Sequence, residues 1–341
     1  MNFIKQEITE QNTGYYSLPP KPRPLPEARA SDEALAFIDK LPSDFLSKQR
    51  RAIENAIAGD SAELETVRAS RRISSYDMSS VYVEDIRING GKLRLRTYTP
   101  KTPLSTSRNI LLYLHGGGWT INSPENCERF CRDFAVENDS TVVAPDYRLA
   151  PEHPYPVAND DAKTAYLWTV EHARLIGGSA EKIYIGGDSA GGHLAFATAI
   201  DLRDDDSAKT KPRGIIAFYP AIDLEHTDTE SYKYFGEDFA LNAGLMKLYI
   251  EAYAPTPKAR KAASLAAANL AGLPRSLVLV SECDILRSEA ENFAERLSSS
   301  GVKTRCVRLE GATHIYITQK GMDNAYYAAL YEASEFVSRG E

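Results

Sequence analysis

Lys182-Ile183-Tyr184-Ile185-Gly186-Gly187-Asp188-Ser189-Ala190-Gly191-Gly192-His193 decides how the rest of the chain is read. Ile183 to Ile185 is a short apolar run of the kind a buried strand carries. Helical spacing of apolar residues begins after Ser189, at Leu194, Ala195, Ala197 and Ala199. Between the two lies Gly187-x-Ser189-x-Gly191, the strand–turn–helix setting in which G-x-S-x-G forms a nucleophile elbow. Flanking side chains would collide in so tight a turn, so glycine is needed on both sides. The serine is held in a strained backbone conformation that pushes its hydroxyl outward. The helix N-terminus beneath it favours negative charge developing above. Taken alone, the motif also fits a glycine-rich turn capped by a serine, so the surrounding chain has to decide.

On both sides of this stretch, continuous apolar runs alternate with helical patterns. Ile110-Leu111-Leu112-Tyr113-Leu114 precedes a helix opening at Ser123-Pro124-Glu125, and Thr141-Val142-Val143-Ala144 precedes one around 157–175. Gly214 to Phe218 comes next. Leu277 to Val280 precedes a helix around 287–299, and Thr304 to Leu309 precedes one around 322–338. Strands buried on both faces and joined by helices make an α/β fold with a mostly parallel sheet and helices on both faces. Val81–Ile88 and Lys92–Tyr98 alternate instead, around Asn89-Gly90-Gly91, which predicts an antiparallel hairpin at one edge. Ligands of such sheets bind beyond the carboxyl ends of the strands, where Ser189 falls.

Two segments stand outside this alternation. Residues 1–30 read as irregular, with Pro19, Pro20, Pro22, Pro24 and Pro26 close together, and form an arm or a strap. Helices follow at Ser31–Lys40 and Ser43–Ala58, and Asp60-Ser61-Ala62-Glu63 resembles a capping box for a third. Between Phe218 and Leu277 no strand is evident, and the tyrosines, phenylalanines and leucines there read as a helical insertion. The expected division is residues 1–75 as arm and cap helices, and 76–341 as a catalytic domain with a cap insertion at about 222–265. The alternative for the insertion is a peripheral helix pair.

A serine hydroxyl needs a base to take its proton, a third group to orient that base, and donors for the oxyanion. His314 follows the strand Thr304–Leu309 in the loop Glu310-Gly311-Ala312-Thr313-His314, where it can reach Ser189. Asp284 follows Leu277–Val280 in the same way, with Glu282 as its competitor for the acid role. The order Ser189, Asp284, His314 is that of the α/β-hydrolases. His115-Gly116-Gly117-Gly118-Trp119 comes directly after a strand and resembles the HGGG oxyanion motif of lipases and esterases. Gly116, Gly117 and Ala190 are the expected oxyanion donors. His115, Gly118, Gly187, Asp188 and Gly191 support them, His115 in a structural role. Protonation of His314 is expected to remove activity somewhere between about pH 5 and 8.

Composition narrows the partners. A net charge of −7 with no basic stripe argues against nucleic acid and anionic membranes. No apolar run is long enough to span a bilayer. The segment Met1–Glu7 lacks the pattern of a secretory signal, so the expected location is the cytoplasm. Cys127, Cys131, Cys283 and Cys306 have no matching histidine cluster, and neither a metal nor another cofactor is expected. A small acyl ester is the expected partner, and an edge strand or terminal helix could pair two subunits into a homodimer.

Together these motifs resemble the hormone-sensitive-lipase-like branch of the α/β-hydrolase family, which includes bacterial carboxylesterases and acetyl esterases. The likeness covers roughly residues 80–338. It rests on His115–Gly118, Tyr147-Arg148-Leu149-Ala150-Pro151-Glu152-His153-Pro154-Tyr155-Pro156, Gly187–Gly192, Asp284-x-Leu286-Arg287-x-x-Ala290 and His314. It implies an α/β-hydrolase fold with a helical cap, and a serine carboxylesterase of short-chain, acetyl- to butyryl-type esters. Tyr147 to Pro156 reads as a turn bracing the oxyanion loop. The chain departs from the family pattern at Ile285, at Ile315-Tyr316 and at Ser264-Leu265, and Tyr316 and the cap are expected to tune substrate choice. An arylformamidase-like amide hydrolase remains open on the same triad. A non-catalytic binding protein such as the plant gibberellin receptors lacks the base that His314 supplies here. Gly187-Asp188-Ser189 is also similar to trypsin-like proteases, but the repeated strand–helix pattern excludes two β-barrels.

Overall fold

Leu111 and Leu112 point to opposite faces of one sheet, and each lands in a separate apolar layer. Ile215 and Ile216, and Val278 and Leu277, divide in the same way. The period-2 alternation of a strand therefore places apolar side chains on both faces at once. This computed structural model describes residues 15–17, 25–72, 76–103, 107–237 and 239–339.

The chain begins with β1 (Tyr15–Ser17), then α1 (Asp32–Asp39), α2 (Phe45–Ile57) and α3 (Ala62–Arg71). The hairpin is β2 (Val81–Ile88) and β3 (Leu93–Pro100), turning through positive φ at Asn89, Gly90 and Gly91. β4 (Arg108–Leu114), α4 (Glu128–Glu137), β5 (Thr141–Asp146), α5 (Val157–His172), β6 (Gly178–Asp188), α6 (Ala190–Asp204) and β7 (Gly214–Phe218) follow. The insertion carries α7 (Glu230–Phe235), α8 (Ala243–Tyr253) and α9 (Pro257–Ala263). β8 (Ser276–Cys283), α10 (Arg287–Ser299), β9 (Thr304–Thr313) and α11 (Asp323–Ser338) complete the fold. Among the described residues the sheet has nine strands in the order β1-β9-β8-β7-β6-β4-β5-β3-β2. β4 to β9 are mutually parallel; β2, β3 and β1 run antiparallel to their neighbours. Leu194 and Phe196 of α6, Ala162 and Tyr166 of α5 and Phe293 of α10 fill one layer. Phe130 and Phe134 of α4 and Tyr326 and Leu330 of α11 fill the other.

Three expectations need correction. The arm is not wholly irregular: Tyr15 to Ser17 pair antiparallel with Leu309 to Val307 and close the far edge. An open edge accepts an extended segment through backbone bonds alone, which leave no side-chain pattern to read. Pro19 to Pro24 lie outside the described residues. Ser61 does not cap α3, because its hydroxyl bonds Glu152 at 2.7 Å; Asp60 Oδ1 accepts from the Ala62 N–H instead. The segment before His314 is strand, with Thr313 paired to Cys283, so the histidine emerges directly from the ladder. Cys127 ends a 3₁₀ turn ahead of α4, and its sulfur lies 3.6 Å from that of Cys131, both buried.

α2 packs on α8, so the N-terminal helices and the insertion meet above the carboxyl end of the sheet. Gln49 of α2 bonds the Tyr249 hydroxyl of α8. Among the described residues no helix is long and apolar enough to cross a membrane.

Candidate active site

Ser189 takes φ 54° and ψ −118°, a left-handed backbone that side-chain-bearing residues avoid. Its N–H donates to the Phe218 carbonyl at 2.9 Å, which ties the turn to β7. A Cβ on Gly191 would lie 1.9 Å from the Leu114 carbonyl oxygen, and one on Gly187 would lie 2.3 Å from that atom. Glycine is required at both places because β4 and α6 cross at this point.

β8 and β9 deliver the two partners. His314 Nε2 lies 3.0 Å from Ser189 Oγ, and its Nδ1 lies 2.6 Å from Asp284 Oδ2. Asp284 Oδ1 accepts from the Leu286 N–H at 3.0 Å, which fixes the carboxylate. Tyr219 lies against the imidazole, ring centroids 4.5 Å apart. Glu282, the competing acid, accepts from the Gly311 N–H at 2.8 Å and is turned to that backbone.

The glycine loop differs from expectation at one donor. The Gly116 N–H donates to Asp188 Oδ1 at 3.0 Å, so it is spent inside the protein. Gly116 is also absent from the wall of the cavity over Ser189, whereas Gly117, Gly118 and Ala190 are on it. Among the described residues the N–H groups of these three have no acceptor. The third glycine therefore replaces the first as a candidate donor. Spacing could not distinguish them, because all three glycines satisfy the motif.

Asp188 also accepts from the Tyr113 hydroxyl at 2.9 Å. Burial pushes its carboxyl up to about 6 despite these hydrogen bonds. His115 is structural in its contacts: its ring stacks on Tyr147 at 4.2 Å and its Nδ1–H donates to the Gly116 carbonyl at 2.8 Å. Burial lowers it to about 4, so it stays neutral. The Tyr147 hydroxyl donates to the His115 carbonyl at 2.7 Å, and the Ala150 N–H to the Trp119 carbonyl at 2.9 Å, which braces the loop from below.

A family profile described as alpha/beta hydrolase fold matches residues 111–318. An ethyl acetate hydrolase of Pseudomonas putida is 28% identical over 77% of this chain and 84% of its own. The hormone-sensitive lipase of Bos taurus is 33% identical over 54% of this chain and 24% of its own. The crystal structure of a thermostable esterase from Pseudomonas putida superposes with a TM-score of 0.79 at 28% identity, covering 92% of this chain and 98% of that one. The chain belongs to the hormone-sensitive-lipase-like branch of the α/β-hydrolases. It is a carboxylic ester hydrolase.

Departures from the family pattern are accommodated locally. Leu265, where proline is common, uses its N–H to bond the Ile222 carbonyl at 2.9 Å, a bond proline lacks. Ile285 is fully buried, and its carbonyl accepts from the Ser231 hydroxyl at 2.5 Å. Of the pair after the base, Tyr316 is fully buried against Tyr219 and does not line the cavity. Ile315 lines it instead, correcting the expectation that Tyr316 tunes the pocket.

Residues that the motifs of the family did not reveal complete the cavity. Phe45, Gln49 and Arg71 come from the N-terminal helices, and Leu245, Met246 and Tyr249 from α8. Tyr249 presses its ring onto the glycine loop, where a Cβ on Gly118 would lie 2.2 Å from a ring carbon. The apolar spacing of α2 and the aromatic richness of the insertion hinted at the first and last of these. Arg71 carried no sequence signal.

Proposed function

We propose that this protein is a serine esterase of short-chain acyl esters, with Ser189, His314 and Asp284 as its triad. The supporting observation is the continuous bonded row Ser189 Oγ, His314, Asp284, at 3.0 and 2.6 Å. Ser189 Oγ attacks the acyl carbonyl as His314 Nε2 takes its proton. The oxyanion forms towards the N–H groups of Gly117, Gly118 and Ala190, each worth about 2.7–4 kcal/mol in the transition state. The tetrahedral intermediate collapses, His314 returns the proton to the leaving alcohol, and an acyl-enzyme remains. Water, deprotonated by the same imidazole, then releases the carboxylic acid. Asp284 holds the ring with Nε2 free and stabilises its charged form.

The short-chain reading rests on room. The cavity over Ser189 has a volume of about 50 Å³, and Leu241, Leu245, Met246 and Tyr249 wall it. Four free, buried cysteines suit a reducing compartment, and we assign the protein to the cytoplasm. The deciding experiment is hydrolysis of p-nitrophenyl esters from acetate to laurate by wild type and Ser189→Ala. Rates highest on acetate to butyrate, and lost on substitution, are expected. Preference for laurate would overturn the short-chain reading. Undiminished activity in Ser189→Ala would overturn the nucleophile.

A further inference from the structure

A larger cavity of about 640 Å³ adjoins the one over Ser189. Phe45, Gln49, Arg71, Asn122, Ile315 and Thr318 line both, so they stand at the junction of the two. Arg71 is the cation among them. It ends α3, where its neighbours Arg68 and Arg72 each meet a carboxylate, Glu152 at 2.8 Å and Asp146 at 3.3 Å. Arg71 meets none among the described residues. Its Nη2 donates to Gln49 Oε1 at 2.8 Å and its Nη1 to Asn122 Oδ1 at 3.1 Å, both neutral amides.

The acids of the outer cavity are engaged elsewhere. Asp44 pairs with Lys48 at 2.7 Å, and Glu125 with Arg94 at 2.7 Å and Arg96 at 3.1 Å. A guanidinium drawn out of water without a counter-ion is costly, and burial lowers its proton affinity accordingly. The two amides that hold it are themselves fixed. Gln49 bonds the Tyr249 hydroxyl, and Asn122 Nδ2 donates to the Gly116 carbonyl at 3.3 Å. The guanidinium is thus pre-oriented, with N–H groups left over in the fork geometry that matches a carboxylate.

We propose that Arg71 is a specificity-determining residue that binds a carboxylate on the alcohol half of the substrate. The preferred substrates are then short-chain acyl esters of hydroxy acids. The narrow inner cavity holds the acyl group, so the leaving alcohol extends across the junction past Arg71. This rests on the assignment of Ser189 as nucleophile.

A matched pair tests it: 4-acetoxybenzoate against the neutral 4-acetoxybenzamide. Wild type should favour the anion in kcat/KM by about ten- to hundredfold, less at high salt. Arg71→Gln should abolish that preference, bringing the benzoate-to-benzamide ratio of kcat/KM down about tenfold or more to near one, and Arg71→Lys should keep part of it. A wild-type ratio at or below one would overturn the proposal, and needs no variant. Equal loss on both esters in Arg71→Gln would also overturn it, by reducing Arg71 to a prop for Gln49 and Asn122. Ser189→Ala is run alongside. If it retains activity, the nucleophile assignment fails; if it is inactive and the ratio is flat, only the Arg71 proposal fails.

Discussion

Ile315 sits at φ 70°, where a β-branched residue is a genuine outlier, and it follows the histidine that faces Ser189. The strain costs about 1–2 kcal/mol, which glycine would relieve. Glycine would also lose apolar packing and about 0.5–1 kcal/mol to chain entropy. Ile315→Gly should therefore unfold within about 1 kcal/mol of wild type in urea, while the added room raises kcat/KM on acetates of bulky alcohols relative to ethyl acetate. An unchanged alcohol preference would remove Ile315 from the specificity wall. The acid is tested at the same place. Asp284→Asn keeps the shape but removes the charge facing the imidazole, and should lower kcat about 10⁴-fold. Glu282→Gln alters the acceptor of the Gly311 N–H, away from the imidazole, and should cost less than about tenfold. A reversed order of the two would reassign the acid.

Arg68 is one of several side chains that fasten α3 to the sheet and its loops, beside Leu64, Arg71 and Arg72. Arg68 is 7% exposed and donates to the Thr120 carbonyl at 2.8 Å, the Ala150 carbonyl at 2.7 Å and Glu152 at 2.8 Å. It therefore clamps the helix onto both the glycine loop and the turn that braces it. Arg68→Ala would leave two carbonyls and a partly buried carboxylate without this partner, at a cost of about 2–4 kcal/mol. Hydrogen exchange should quicken in α3 and α2 before it does in the sheet. Uniform protection across the chain would mean that contacts other than those of Arg68 hold α2 and α3 in place. On the opposite side, Trp119 stacks on Tyr253 at 4.4 Å and meets His193 edge-on at 5.2 Å, which fastens the loop to the end of α8.

Stability of the whole fold should depend on two buried histidines. Burial lowers both His115 and His193 to about 4. Both rings are therefore neutral when folded, and their contribution is complete above the ordinary imidazole range. It is lost as pH falls through that range towards 4, by about 3 kcal/mol for each ring. Asp188, raised to about 6, acts in the opposite sense: its contribution is present at low pH and is lost as pH rises through 6. His193→Gln isolates one term, since its amide can still donate to the Ala263 carbonyl that His193 Nε2 bonds at 2.9 Å. Relative to wild type, the variant should gain about 3 kcal/mol between pH 7 and pH 4 in urea unfolding. Parallel pH curves would mean that the ring does not titrate between the two states.

Local chemistry explains what could be read without coordinates. The elbow needs glycine at 187 and 191 because two backbones touch there, and the doubly buried strands need unbroken apolar runs such as Ile110–Leu114. Both constraints act on contiguous residues, so they are written in contiguous sequence, and the placing of Ser189, Asp284 and His314 past three strand ends follows from them. Other features depend on what the chain meets from far away. The pairing of Tyr15–Ser17 with β9 uses backbone groups that every residue has. Which glycine of Gly116–Gly118 keeps a free N–H is set by Asp188, 72 residues later. That Ile315, and not Tyr316, lines the cavity follows from the turn beyond β9. The lone charge of Arg71 exists only because Asp44 and Glu125 find partners elsewhere in the fold. Such outcomes are contests between groups distant in the chain, and only the tertiary arrangement settles which group wins.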